Sequence, residues 1–278
     1  MTSTIKARRA AFRALHLEGC FVLPNPWDVG STVMLQGLGF KALATTSSGH
    51  AWSLALADGS APRAALLEHL RAMVAATDLP VNADFESGYA ADAAGVAQSV
   101  RLAVDTGVAG LSIEDSTGDA AHPIHDLDVA VARLRAARDA IDAAGGDVLL
   151  VGRAENFLHG RADLDDTIAR LRAYAAAGAD CLYAPGIRTR AQIAAVVAAV
   201  APKPVNLLVG APSDLTLQDI AALGVRRISV GGALARTAWG GFMRAARSIA
   251  ETGRFDGLAQ AASGAELNAL FREGPAAT

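Results

Sequence analysis

The stretch Leu79-Pro-Val-Asn-Ala-Asp84-Phe-Glu86-Ser-Gly88-Tyr-Ala is the segment from which the fold and the site can both be inferred. Apolar or small residues lead directly into two carboxylates at i and i+2, and a strand is predicted at residues 81–84. Because alternate side chains of a strand lie on one face, Asp84 and Glu86 are expected side by side where the strand ends. Like charges this close repel unless a cation or a proton is shared between them. The stretch therefore predicts a strand that leads into an acidic site.

Two later segments repeat this design, with acids at the end of an apolar run. They read Leu111-Ser-Ile-Glu114-Asp115 and Val148-Leu-Leu-Val-Gly-Arg153-Ala-Glu155. Three apolar strands that end in acids predict one electronegative pocket that holds a divalent metal.

Strands and helices alternate outward from these segments in both directions. Apolar runs predict strands at 20–23, 42–46, 81–84, 110–114, 148–153, 181–184, 205–209 and 228–230. Helical spacing predicts helices at 64–76, 95–106, 126–144, 163–177, 190–200 and 216–223. Eight βα units indicate an α/β fold, a (β/α)₈ TIM-type barrel. We predict a single domain over residues 1–278, with a helical tail over about 240–278.

The bulk composition excludes several classes of protein. A net charge of −3 and a pI near 6.1 give no general attraction to nucleic acid or to anionic lipid. The longest apolar run is too short to span a membrane, and no signal peptide is predicted. The two cysteines, Cys20 and Cys181, have no metal-ligand spacing, so a cytoplasmic protein with reduced thiols is expected.

In such barrels the active site lies at the carboxyl ends of the strands. That rule selects polar residues from nearly every predicted strand end. The candidates are Asn25, Asp28, Thr45, Thr46, Ser47, Ser48, Asp84, Glu86, Glu114, Asp115, Arg153, Glu155, Tyr183 and Asn206.

Purely structural roles compete with these assignments. Asp28 and Asp115 can each be the N-cap of the following helix. Glu86 can form a simple salt bridge with Arg153. The hydroxyl run 45–48 can cap a helix, although four hydroxyls exceed what one cap needs and suit a carboxylate or phosphonate ligand. Gly231-Gly232 suits either a phosphate site or a tight turn.

With these residues in place, the chain resembles the isocitrate lyase/phosphoenolpyruvate mutase superfamily nearly from end to end. The resemblance rests on five segments that occur in the family's order. They are Leu23-Pro-Asn-Pro-Trp-Asp28, Gly39-Phe-Lys-Ala-Leu-Ala-Thr-Thr-Ser-Ser-Gly49 with Asp58-Gly59, Val81-Asn-Ala-Asp-Phe-Glu-Ser-Gly-Tyr89, Ser112-Ile-Glu-Asp115 and Gly152-Arg-Ala-Glu155.

The resemblance implies a role for each matching residue. Members bind 2-oxo acids or their enolates against Mg²⁺, with Mn²⁺ as a possible substitute. Asp84 would be the direct metal ligand, and Asp58, Glu86 and Glu114 would hold metal-bound water. The barrel's last helix would be swapped with a partner in a homo-oligomer, a dimer or more often a tetramer. The substrate-binding set is Thr46, Ser47, Ser48, Arg153 and Asn206, and the catalytic set is Arg153, Glu114 and His122.

One segment departs from the family pattern. The lyases carry Lys-[Lys/Arg]-Cys-Gly-His shortly after Ile-Glu-Asp, whereas this chain has Ser116-Thr-Gly-Asp-Ala-Ala-His-Pro-Ile-His125. The loop has no cysteine to act as acid or base, so His122, Tyr183 or a loop hydroxyl would have to serve.

The resulting prediction is a Mg²⁺-dependent lyase or decarboxylase. It would cleave a C–C bond in a small 2-oxo or 2-hydroxy carboxylic acid through a metal-stabilised enolate. Two alternatives stay open at this point. One is a phosphonate-active P–C hydrolase or mutase, and the other is a barrel that binds a 2-oxo acid with little catalysis.

Overall fold

Eight parallel strands form one nearly closed barrel, as predicted. The computed structural model describes residues 3–272. The sheet order is β1-β8-β7-β6-β5-β4-β3-β2, and the backbone N–H of Ala44 donates to Pro24 O at 3.0 Å across the gap between β1 and β2. The strands are β1 Phe21–Leu23, β2 Leu43–Ala44, β3 Val81–Asp84, β4 Gly110–Glu114, β5 Leu149–Arg153, β6 Cys181–Tyr183, β7 Val205–Leu208 and β8 Arg227–Ser229.

Helices cover the outside of the barrel. The six predicted helices are all present, each within two residues of its predicted ends. Those helices are α4 Arg63–Ala75, α5 Ala93–Val104, α6 Leu127–Ala143, α7 Leu164–Ala176, α8 Arg190–Val200 and α9 Leu217–Ala222; the others are α1 Ile5–Leu15, α2 Val29–Gly37, α3 Ser47–Ser53, α10 Ala233–Thr252 and α11 Gly264–Arg272.

Helix α1 closes the amino-terminal end of the barrel. Its Phe12 is fully buried against the apolar residues inside the barrel. Arg9 donates from Nε to Val108 O at 2.9 Å, and Arg13 donates from Nε to Asp147 O at 3.0 Å, just before β4 and β5. Because this end is filled, the opposite end, where the strands finish, is the one that can receive a ligand.

The tail follows the eighth strand as a long helix, α10, and a shorter one, α11. Of the helical tail predicted over about 240–278, the structure has the end of α10 up to Thr252 and α11 over Gly264–Arg272, and residues 273–278 lie outside the described part. Helix exchange between subunits stays a prediction. No helix within residues 3–272 is both long and apolar enough to cross a membrane.

Candidate active site

Two other elements, α3 and β5, contact the carboxylate of Asp84, the last residue of β3. Its Oδ2 accepts hydrogen bonds from the backbone N–H of Ser47 at 2.9 Å and from Ser47 Oγ at 2.8 Å. Its Oδ1 accepts from Arg153 Nη1 at 3.2 Å. Ser47 is the first residue of α3, and Thr46 is that helix's N-cap. The β2–α3 turn and the end of β5 are thus both tied to the end of β3.

Arg153 lies among three carboxylates. Its Nη1 is 3.2 Å from Asp84 Oδ1 and 3.1 Å from Glu114 Oε2, and its Nε is 2.5 Å from Glu155 Oε1. Its guanidinium also lies over the Tyr183 ring, 5.2 Å from the centroid. Burial raises the pKa of Glu114 and of Glu155, and the charge of Arg153 opposes that rise. One cation therefore faces more negative charge than it can balance.

Glu86 lies beyond the end of β3, so its position beside Asp84 does not result from the alternation of side chains along a strand. The strand ends at Asp84, and Glu86 has a left-handed backbone with φ 45°, as does Tyr89 with φ 52°. Conformations of this kind cost about 1–3 kcal/mol each and are concentrated at functional sites. Arg133 of α6 holds this turn by donating to Ser87 O at 2.6 Å and to Ala90 O at 2.8 Å.

The simple salt bridge between Glu86 and Arg153 is not formed, since Glu86 Oε1 instead accepts from Tyr89 Oη at 2.5 Å. Burial raises the pKa of Glu86 to about 7, the Tyr89 hydrogen bond opposes this, and the charges of Asp84 and Asp58 add to it. Burial and the charge of Asp84 likewise raise the pKa of Asp58.

The raised pKa of Glu86 predicts a specific dependence of stability on pH. A carboxyl whose pKa is about 7 in the folded state and near 4.5 when unfolded binds more protons in the folded state between those values. We therefore expect the free energy of unfolding of the metal-free protein to fall as the pH rises from about 4.5 to 7. Urea unfolding across this range checks it. Glu86→Gln should make the free energy of unfolding less dependent on pH, whereas the exposed control Glu18→Gln should leave that dependence unchanged. The same dependence in wild type and both variants would contradict a raised pKa at Glu86.

The acid cluster fits a hydrated divalent cation. Asp58, Asp84, Glu86, Glu114 and Glu155 supply only oxygen donors, which Mg²⁺ and Mn²⁺ prefer. Within residues 3–272, no group of three or more His, Cys, Asp or Glu is arranged to enclose a metal directly. Mg²⁺ is usually held by one or two carboxylates and keeps several waters, so the donor set suits it without such a cage.

An inner pocket of about 150 Å³ opens beside the cluster. Thr46 Oγ1 and Ser48 Oγ, which line it, are 3.0 Å apart. Thr46 also caps α3, so the helix-cap alternative holds for that hydroxyl. The pocket's other polar lining residues include Asn25, Ser47, Asp58, Asn82, Asp84, Ser112, Arg153, Tyr183, Arg227 and Ser229. A second chamber of about 650 Å³ shares Ser48, Asp58, Leu208, Gly231 and Gly232 with it.

Two residues of the predicted catalytic and substrate-binding sets, His122 and Asn206, belong neither to the acid cluster nor to the lining of this pocket. The side chain of His122 is 85% exposed on the loop that replaces the lyase loop, with its Nδ1 3.5 Å from Asp119. Asn206 is fully buried in β7, where its amide donates to Ser229 Oγ at 2.9 Å and accepts from Arg227 Nε at 2.9 Å. Asn206 therefore does not line the pocket itself but holds two residues that do, Arg227 and Ser229.

The two proposed N-caps have different outcomes. Asp28 is the N-cap of α2, with a capping box to Ser31. Asp115 does not cap α6, because Asp126 has that position. It accepts instead from Tyr174 Oη at 2.6 Å, Arg170 Nη1 at 3.1 Å and the backbone N–H of Glu155 at 2.8 Å.

Sequence reasoning missed Arg227, which lines the inner pocket. The predicted start of β8 was residue 228, one residue too late, so Arg227 was placed outside the strand. The alternation of Arg227 with Ser229, both of which line the pocket, was the available signal.

A family model, curated proteins and solved structures all show similarity to this chain. The sequence model of the phosphoenolpyruvate phosphomutase family matches residues 12–250. A putative lyase/mutase from Burkholderia cenocepacia J2315 has 49% identity and a TM-score of 0.93, over 96% of this chain and 98% of that one. An oxaloacetate decarboxylase from Bradyrhizobium sp. (strain ORS 278) is 34% identical over 242 residues, which is 82% of this chain and 78% of the relative.

Another similar solved structure belongs to a named superfamily. The structure of 2,3-dimethylmalate lyase, a PEP mutase/isocitrate lyase superfamily member, has 26% identity and a TM-score of 0.83, over 98% of this chain and 95% of that one. The chain therefore belongs to the phosphoenolpyruvate phosphomutase family and is an enzyme of the PEP mutase/isocitrate lyase superfamily of lyases and mutases.

Proposed function

We propose that this enzyme is a Mg²⁺-dependent lyase or decarboxylase that cleaves a C–C bond in a small 2-oxo or 2-hydroxy carboxylic acid. The observation that carries the proposal is the oxygen-only acid cluster beside a pocket of about 150 Å³, in which Asp84, Glu114 and Glu155 all contact the guanidinium of Arg153. The oxaloacetate decarboxylase and the 2,3-dimethylmalate lyase, which resemble the chain, support the choice of a C–C bond.

The proposed metal would be held directly by Asp84, and through water by Asp58, Glu86 and Glu114. When bound, it would supply a Lewis acid for the oxygen that becomes negative in an enolate. Ser47 and Arg153 orient Asp84, because each donates a hydrogen bond to one of its oxygens. Arg153 would also face the substrate carboxylate, and the hydroxyls of Thr46, Ser47 and Ser48 would donate to its other polar end.

The proton donor differs from that of the cysteine-containing lyases. Tyr183 lines the pocket, and burial raises its pKa to about 12, so the phenol is protonated at neutral pH. A protonated phenol beside the pocket can donate a proton to an enolate carbon or oxygen. Loss of CO₂ from an acid such as oxaloacetate needs an electron sink and this protonation, but no general base. We therefore place Tyr183 ahead of the exposed His122 for the acid role.

One observation favours a second candidate reaction. The family that matches this chain is named after a phosphomutase. The hydroxyl run 45–48, which lines the pocket together with Arg153, would also bind a phosphonate. A P–C hydrolase or mutase is therefore the alternative to be tested beside the lyase.

The proposal extends to assembly. Helix α10 exposes Trp239, Phe242, Met243 and Ile249, between 37% and 63% of each. Exposed apolar side chains on one helix support the predicted homo-oligomer, a dimer or a tetramer.

A product assay over a substrate panel tests the function. The panel is oxaloacetate, methylisocitrate, isocitrate, dimethylmalate and phosphonopyruvate, each with chelator-treated protein and again after Mg²⁺ is added. We expect product release, as pyruvate or another 2-oxo acid, from at least one of the C–C substrates only with Mg²⁺. Because Mg²⁺ alone accelerates oxaloacetate decarboxylation, Asp84→Asn protein with the same Mg²⁺ is the matched control. Turnover of phosphonopyruvate alone would favour the second candidate, and binding without turnover would favour a binding protein.

A further inference from the structure

Arg227 is a buried cation inside the barrel without a carboxylate partner. It is the first residue of β8 and is 3% exposed, yet it lines the inner pocket. Among the residues that the structure describes, no aspartate or glutamate forms an ion pair with it. Burial lowers the pKa of Arg227, but an arginine starts so high that its guanidinium stays charged.

All three of its hydrogen-bond partners are neutral. Nε donates to Asn206 Oδ1 at 2.9 Å, and Nη1 lies 3.3 Å from Asn82 Oδ1 and 3.4 Å from His16 Nε2. His16 Nδ1 lies 2.7 Å from Phe12 O, and since a carbonyl can only accept, Nδ1 carries the proton and Nε2 accepts. Burial and the charge of Arg227 lower the pKa of His16 to about 3, so that ring is neutral.

A buried charge whose partners are all neutral is costly, since hydrogen bonds satisfy its donors without balancing its charge. Arg153, the other guanidinium of the pocket, differs in this respect because three carboxylates already surround it. Arg227 is therefore the guanidinium whose charge is free to attract an anion entering the pocket.

The charge of the whole site explains why such a cation is needed. When the five carboxylates of the cluster are ionised, Arg153 and a divalent cation together carry three positive charges against them. A carboxylate-bearing substrate would still meet a negative site, and the uncompensated guanidinium on the pocket floor reduces that repulsion.

We propose that Arg227 is a specificity-determining residue, and that its guanidinium makes the floor of the inner pocket a site for a carboxylate of the substrate. The site selects small acids with two negative charges over acids with one. This inference rests on the proposed function, because that function makes the substrate a carboxylic acid.

The effect can be measured with oxalate, a dianion, and oxamate, a monoanion of nearly the same shape. Titration calorimetry with Mg²⁺ present should show wild-type protein binding oxalate more tightly than oxamate. Arg227→Gln should weaken oxalate binding by about ten- to hundredfold and oxamate binding less, because a close charge acts more strongly on the dianion. Arg227→Lys, which keeps the charge, should recover part of the affinity.

A second variant separates the charge from the folding of a buried arginine. Asn206→Asp places a carboxylate where Asn206 Oδ1 already accepts from Arg227, and Ser229 Oγ can turn to donate to its other oxygen. Since Asn206 does not line the pocket, this change neutralises Arg227 from below. We expect a melting temperature no lower than that of wild type, with oxalate affinity reduced as in Arg227→Gln. The control Arg226→Gln removes a charge that lies outside the barrel, bonded to Gly19 O, and should bind oxalate normally.

The outcomes separate this inference from the proposed function. Wild-type oxalate affinity in folded Asn206→Asp and Arg227→Gln would overturn the inference even if the enzyme proves to be a lyase, as would wild-type protein that does not bind oxalate. Oxalate binding that depends on Arg227, in a protein that cleaves none of the C–C substrates, would support the site and reject the lyase.

Discussion

Replacing Asp84 by alanine is expected to abolish both Mg²⁺ binding and turnover. Its carboxylate is the group on which Ser47 and Arg153 converge, and it is the proposed direct metal ligand. Loss of the metal removes several kcal/mol of charge stabilisation from the transition state, which corresponds to at least about a thousandfold in kcat. Steady-state kinetics and Mg²⁺ titration calorimetry measure the two effects.

The isosteric change Asp84→Asn should have nearly the same effect on turnover. An amide keeps the size of the side chain and can still accept one of the present hydrogen bonds, so the fold should be retained. Asp139→Asn, on the exposed face of α6, is the matched control and should keep full activity. Full activity in Asp84→Ala or Asp84→Asn would refute the metal assignment.

Replacing Arg153 is expected to affect both catalysis and stability. Arg153→Lys keeps the charge, but one ammonium cannot replace a planar fork that contacts Glu155 through Nε and Asp84 and Glu114 through Nη1. Because Asp84 is then misplaced, kcat/KM should fall by about a hundredfold or more. Kinetics of the purified variant measure this, and wild-type values would argue against the orienting role.

Arg153→Met removes the charge and leaves Asp84, Glu114 and Glu155 without their cation. All three side chains are less than a fifth exposed, so unfolding at pH 8 should become easier by about 3–5 kcal/mol. The charge of Arg153 opposes the rise in the pKa of Glu114 and of Glu155, so without it both pKa values rise further in the folded state and the deficit should shrink as the pH falls toward 5. Arg190→Met, which breaks an exposed ion pair with Asp219, should cost less than about 1 kcal/mol. A similar cost in both variants, at every pH, would contradict the account.

The positions of Asp84, Glu114 and Arg153 could be predicted because three simple regularities act together. An apolar run gives the strand, alternation gives the inward face, and the barrel rule places its end at the site. Each of the three is the last residue of its strand, and ion pairs join Arg153 to the other two.

Other features depend on contacts that the local sequence does not contain. The left-handed turn at Glu86 is held by Arg133, some 47 residues further along the chain and on another element. Arg227 is a charged residue inside a barrel, where apolar residues are the usual occupants, and its partners come from the residue that caps α1, from β3 and from β7. The place of His122 depends on the path of the loop after β4, which strand and helix periodicity do not determine.

Binding of Mn²⁺, followed by the loss of the free-ion EPR signal, tests the central claim most directly. Chelator-treated wild-type protein with oxalate is predicted to take up about one Mn²⁺ per chain. Asp84→Asn protein is predicted to take up none at the same concentrations. Equal uptake by the two proteins, or none by wild type, would contradict a divalent metal site built on Asp84.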